Sequence, residues 1–427
     1  MLRTIRSMVE GVSGATAAVL LVACSYSPPV ALDTPTGLYR TLNTAPYGTA
    51  TQSDRWTVVD NPAGLRADHG FACVSASRGG SRDFIGIRVQ DSAAIPTGYD
   101  ATVFMNGWKS SYKKKDHHVL GLGSIIFNID KQPSQLVWDA GGVIADKNGD
   151  DAFEWCYHYT VLFWPKTDPF DIRAVHSDSS GQLIFVDDNQ HSNVVHSIPG
   201  SYTPPGTGRP PVAALPSGFA LAWTDSDHHV LQLGYDLGSA SLSGTTLGWT
   251  SNAILKDNSA RRDYYAFEAV TILRGSGFDV RHPSTLVREK NDGTTVSQSN
   301  ALQLSPRSPT SCAGELVEPS RFESFTITGL DARAAIPMLT GWELRYTCED
   351  QHVRSAGAWI EDWDYTPPTN FLGTNGTLHY TVGTTLADKN GVPNFLDRLE
   401  VSVLAVGSAR RVVNPNPNVF GNAVPLR

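Results

Sequence analysis

Long apolar runs are missing from this sequence, and with them any segment of the roughly 18 residues that would span a bilayer as a helix. Clustered basic charge is also scarce. The net charge is −8, and the one dense basic cluster, Lys113-Lys114-Lys115, reads as a solvated loop. No basic face forms, which excludes nucleic acid as a partner. Beyond the first two dozen residues no stretch holds a 3.6-residue apolar period over a capped helical length, so helical architecture is excluded as well. The patterns G-x-S-x-G, HExxH and the P-loop are absent, and the chemistry each supports is not indicated. What is present suits a folded chain: 427 residues, 41% apolar and 18% charged, enough for two to four cored domains.

The N-terminus reads as a targeting segment. Arg3 and Arg6 supply positive charge, and Gly14 to Ala23 forms a short apolar stretch ending in Leu21-Val22-Ala23-Cys24. This order resembles the lipobox of bacterial lipoprotein signal peptides. The resemblance covers that segment alone, and it implies diacylglycerol on the Cys24 thiol with cleavage just before it. Residues 1–23 are then a signal peptide, and 24–54, rich in Pro and Thr, a lipidated flexible tether. The expected location is outside the cytoplasm, as a membrane-anchored lipoprotein that is periplasmic or on the cell surface. An ordinary cleaved signal peptide with an incidental cysteine is the competing reading.

With Cys24 set aside, Cys73, Cys156, Cys312 and Cys348 remain. An even number in an oxidising compartment suggests two disulfides, with three connectivities open. Buried thiols are the plain alternative.

An internal repeat organises the rest. Ala93-Ala94-Ile95-Pro96, Ala213-Ala214-Leu215-Pro216 and Ala334-Ala335-Ile336-Pro337 are each followed by a glycine and an aromatic: Gly98-Tyr99, Gly218-Phe219 and Gly341-Trp342. Then comes Asp-x-His-Val, at Asp116 to Val119, Asp227 to Val230 and Asp350 to Val353. Leu136/Trp138, Leu247/Trp249 and Leu378/Tyr380 follow, then Asp146, Asp257 and Asp388, and finally Leu162, Leu273 and Leu404. In this register copy one carries an insertion around Asn106 to Lys115, and copy three a longer gap before Asp388. The period suits a domain, not a solenoid unit.

Period-two patterns such as Trp155, Tyr157, Tyr159, Val161 and Phe163, with turns such as Asp146-Lys147-Asn148-Gly149, predict strands. The expected fold is all-β: three tandem β-sandwich-like repeats at 55–166, 167–276 and 316–412, with a linker at 277–315 and a tail at 413–427. These borders favour Cys73–Cys156 and Cys312–Cys348 as the pairs.

Three features are candidates for chemistry. On a strand, Asp116 and His118 project from one face, where a carboxylate can orient an imidazole for metal binding or base work. A capping aspartate beside a structural histidine is the plain reading, favoured by recurrence in all copies. Asp146, Asn148 and Asp150 partly mimic the start of a Ca²⁺ loop, without its glycine or closing glutamate; a hairpin turn is the favoured reading and explains Asn-Gly without a metal. Trp359, Glu361, Trp363 and Tyr365 share a strand face and suit sugar stacking, or belong to a core. No other cofactor is indicated and no catalytic residue is assigned. The function this suggests is a lipid-anchored binding or adhesion protein on the bacterial surface, with a carbohydrate or protein ligand. The alternatives are a secreted hydrolase with one Asp/His-based catalytic module, and a structural component of a surface assembly.

Overall fold

Alternating apolar positions give each strand one face to bury, and in the computed structural model those faces turn onto a shared core. The structure describes residues 45–60, 64–78, 86–167, 173–176, 188–191, 195–204, 211–238, 240–259, 263–275, 278–288, 295–298, 302, 304, 320–346, 349–369, 373–389 and 394–407. Every regular element among them is a strand, so the all-β expectation holds.

The first stretch carries β1 (Ala50–Asp60), β2 (Arg66–Ala76), β3 (Ile87–Ala94), β4 (Tyr99–Tyr112), β5 (Gly121–Lys131), β6 (Gln135–Ala145) and β7 (Phe153–Pro165). The second carries β8 (Arg173–His176), β9 (Asp188–His191), β10 (His196–Tyr202), β11 (Pro211–Trp223), β12 (Gln232–Asp236), β13 (Ala240–Ser243), β14 (Thr246–Lys256) and β15 (Asp263–Arg274). The third carries β16 (Phe278–Arg288), β17 (Thr295–Gln298), β18 (Ser320–Leu330), β19 (Ala334–Tyr346), β20 (Ser355–Thr366), β21 (Gly376–Ala387) and β22 (Asn394–Val406).

Three sheets result, and each draws strands from two stretches. Sheet 1 runs β1-β2-β7-β4-β20-β21-β18; sheet 2 runs β3-β6-β5-β11-β15-β8, with β9 also on β15. Sheet 3 runs β10-β14-β12-β19-β22-β16-β17, with β13 on β14. The junctions β4–β20, β5–β11 and β12–β19 are all antiparallel and related by a pseudo-threefold axis. Trp108, Phe219 and Trp342 meet there with ring centroids 4.9–5.1 Å apart. One contiguous apolar cluster spans strands of all three sheets.

This geometry corrects the sequence register. The counterpart of Gly218-Phe219 and Gly341-Trp342 is Gly107-Trp108, not Gly98-Tyr99. All three glycines follow a bulge on β4, β11 or β19. Each aromatic then precedes its Asp-x-His-Val by eight residues, and copy one has no insertion before it. The Ala-Ala-x-Pro match is incidental. Its first member ends β3, and the other two are offset, since Ala213 and Ile336 are the residues opposite Leu273 and Leu404. The longer gap in copy three falls in the β20–β21 connection, as a surface loop should.

The stretch read as a linker contributes β16 and β17 to sheet 3. Its proline, Pro283, lies in the register shift between Arg281 and Ser284, where a missing N–H costs nothing. The tether reading also ends early. Tyr47 bridges to Arg88, whose guanidinium sits 3.8 Å from its ring, and β1 begins at Ala50. Cys73 and Cys156 stand opposite one another on β2 and β7 and form a disulfide. Cys24, Cys312 and Cys348 lie outside the described residues.

Candidate functional site

At one end of the axis the three Asp-x-His-Val elements close into a ring. Each leads from β4, β11 or β19 into the next strand of its own stretch, and each pairs with both of the others. His117 bridges Val353, Val119 bridges His228, and Val230 bridges Gln351, each through two backbone hydrogen bonds of 2.9–3.1 Å. Alternation then sorts the side chains. Val119, Val230 and Val353 are fully buried, while His118, His229 and His352 project the other way and stay about 40% exposed.

The three imidazoles form a near-equilateral triangle, with centroids 4.5–4.6 Å apart. One ring nitrogen from each lies within 4.8 Å of those of the other two. Aspartate and histidine of one element share a strand face but do not pair with each other. His118 Nδ1 lies 3.9 Å from Asp227, His229 Nδ1 3.7 Å from Asp350, and His352 Nδ1 3.7 Å from Asp116, a cyclic exchange among the three elements. Crossing of the elements at the axis is the cause, since it brings each histidine over its neighbour's aspartate. The carboxylates are themselves held. Asp227, Asp350 and Asp116 accept from the backbone N–H of Lys147, Asn258 and Lys389 at 3.2–3.3 Å.

Burial, and then the neighbouring imidazoles, push His118 and His352 below the usual histidine range. Three rings this close cannot all carry charge cheaply. Neutral imidazoles have a lone pair to offer, so the triangle can coordinate a cation or accept hydrogen bonds from a ligand.

Beside the ring, His117 Nδ1 lies 3.0 Å from Asp151 and 3.9 Å from Asp146. The Ca²⁺ candidates Asp146, Asn148 and Asp150 lie on the turn that the sequence reading favoured. Buried Asp146 accepts from the Gly149 N–H at 2.7 Å, and Gly149 has φ +64°, the geometry of a capped turn. Asn148 and Asp150 are exposed, and Asp151 is the acid brought to Asp146.

The aromatic strand offers no sugar platform. A bulge between Ile360 and Asp362 breaks the alternation of β20, so Trp359 and Trp363 do not share a face. Trp363 is in the main core. Trp359 is buried beside His158 and Phe322, and its indole donates to Glu361. Tyr365 donates to the Ala332 carbonyl at 2.6 Å.

His229 and His352 were visible in the sequence as repeats of His118, but nothing there placed the three at one point. Comparison with protein-family models and with curated proteins gives no match for the chain.

Proposed function

We propose that this chain is an exported binding protein, anchored to a bacterial membrane through lipidated Cys24, which engages its ligand at the end of the axis where His118, His229 and His352 meet. The observation that carries the reading is the convergence of three half-exposed imidazoles, one from each of three stretches and each more than 100 residues from the next in the chain, on a braced and open point. A purely structural pin would bury its rings. Three copies thus make one composite site, not three sites acting by avidity. The ligand class is a glycan or a protein of the cell surface. Cys24 and the sequence before it supply the anchoring half of the proposal.

Two measurements test it. Metabolic labelling with an alkyne fatty acid should mark the wild-type chain in a bacterial host and leave Cys24→Ala unmarked. Label on Cys24→Ala would remove the anchor. Full-length chain applied to a glycan array and to intact bacterial cells should bind, and the triple variant His118→Ala/His229→Ala/His352→Ala should lose that binding. Undiminished binding by the triple variant would move the site elsewhere.

A further inference from the structure

We infer that His118, His229 and His352 form a binding site for one divalent transition-metal ion of the Zn²⁺ class, seated on the pseudo-threefold axis. The inference rests on the axis end being the binding end, and names what is bound there first. Three imidazoles are a nitrogen-only donor set, which suits Zn²⁺ and its first-row neighbours and not Ca²⁺ or Mg²⁺, whose preference is for oxygen. Each ring has its Nδ1 side toward a carboxylate 3.7–3.9 Å away. At that distance the negative charge of the carboxylate, not a hydrogen bond, favours a proton on Nδ1 and leaves Nε2 to coordinate, the same division of roles that outer-shell carboxylates give metal-bound histidines. The carboxylates are in turn oriented by the Lys147, Asn258 and Lys389 N–H groups, so the support extends a further step.

The dimensions are close to what an ion requires. Metal–nitrogen bonds of about 2.0–2.1 Å in a tetrahedral site place the nitrogens about 3.4 Å apart. Present separations reach at most 4.8 Å, so the rings need only swing inward by about 1 Å. Half-exposed side chains can turn that far while the bridged backbone beneath them stays put. Three protein ligands leave a fourth position facing outward. There a carboxylate, imidazole or hydroxyl of the ligand, or a water, would complete the shell.

Titration of the full-length chain with ZnCl₂ by calorimetry, after chelator treatment and with metal content checked by mass spectrometry, tests this. The expected result is one Zn²⁺ per chain, unaffected by excess Ca²⁺. His229→Ala and His352→Gln should each weaken binding at least tenfold. Asp350→Asn should weaken it about 10–100-fold, as outer-shell losses do. His117→Ala should leave it unchanged, which separates the axis from the neighbouring His117/Asp146/Asp151 group. Co²⁺ in place of Zn²⁺ gives a second readout, a visible absorption band present in wild type and lost in His229→Ala. Thermal unfolding of each metal-free variant verifies that it is folded. Absent saturable binding, binding that survives both triad substitutions, or loss with His117→Ala alone would each overturn the site. If Zn²⁺ fails to bind while the triple variant still loses its glycan or cell binding, the ion is refuted and the binding end stands. If Zn²⁺ binds and the triple variant keeps its ligand, the ion site stands and the wider reading falls.

Discussion

His69 is fully buried on sheet 1, with ring nitrogens 3.4 Å from the Thr160 hydroxyl and 3.1 Å from the Ile360 carbonyl. His158 is sandwiched nearby between Phe71 and Trp359. Burial lowers both imidazoles, His69 to about 4. The folded chain therefore refuses protons that the unfolded chain takes up below about pH 6.5. Their contribution to stability is complete above that pH and declines as pH falls toward 4. Glu268 has the opposite sign. Buried among Tyr235, Trp249 and Ser251, which all hydrogen-bond to it, it is raised by burial to about 7. Its contribution is present below about pH 4.5 and fades as pH rises through 7. Urea midpoints measured from pH 4 to 8.5 should separate the two. His69→Gln flattens the acid limb, and Glu268→Gln flattens the loss between pH 5 and 8. Unaltered limbs in these variants would refute the assignment.

At the level of elements, the bulge glycines decide how closely strands of different stretches approach. Gly107 has φ +145°, and a Cβ there would sit 2.2 Å from the Cα of Trp359 on the neighbouring strand. Gly107→Ala should cost at least about 2 kcal/mol, from backbone strain and overlap together, read as a lowered urea midpoint. An alanine variant as stable as wild type would show that the β4–β20 junction yields easily. Such junctions were not legible in the sequence. Period-two alternation announces a strand and its buried face, which is why Trp155, Tyr157 and Tyr159 were read correctly, but it carries no record of the partner strand. The Asp146 turn was legible because its cause is local. The histidine triangle was half legible. Repetition of Asp-x-His-Val is plain, and it points to a scaffold because chemistry needs an element only once. Where symmetric elements meet on their own axis, repetition can also assemble a single site, which is the arrangement proposed above for the three histidines.

For the whole molecule, shared sheets predict shared fate. β4 pairs with β20, β5 with β11, and β12 with β19, so no stretch completes a sheet by itself. Thermal or urea unfolding of the full chain should give one cooperative transition by both tryptophan fluorescence and circular dichroism. The segment 55–166 expressed by itself should lack that transition. Three resolved transitions, or a folded isolated segment, would show that the copies stand independently.

Order of synthesis gives the β4–β20 junction a further consequence. One edge of β4 is covered by β7, but the other waits for Ser355–Trp359, roughly 240 residues later. At ribosomal rates of about 5–20 residues per second, that edge stays bare for about 12–50 seconds. A bare, apolar strand edge is a template for pairing with another chain. The newborn polypeptide thus has a defined window of vulnerability, closed only by its last third, and a holding chaperone would be most useful within it.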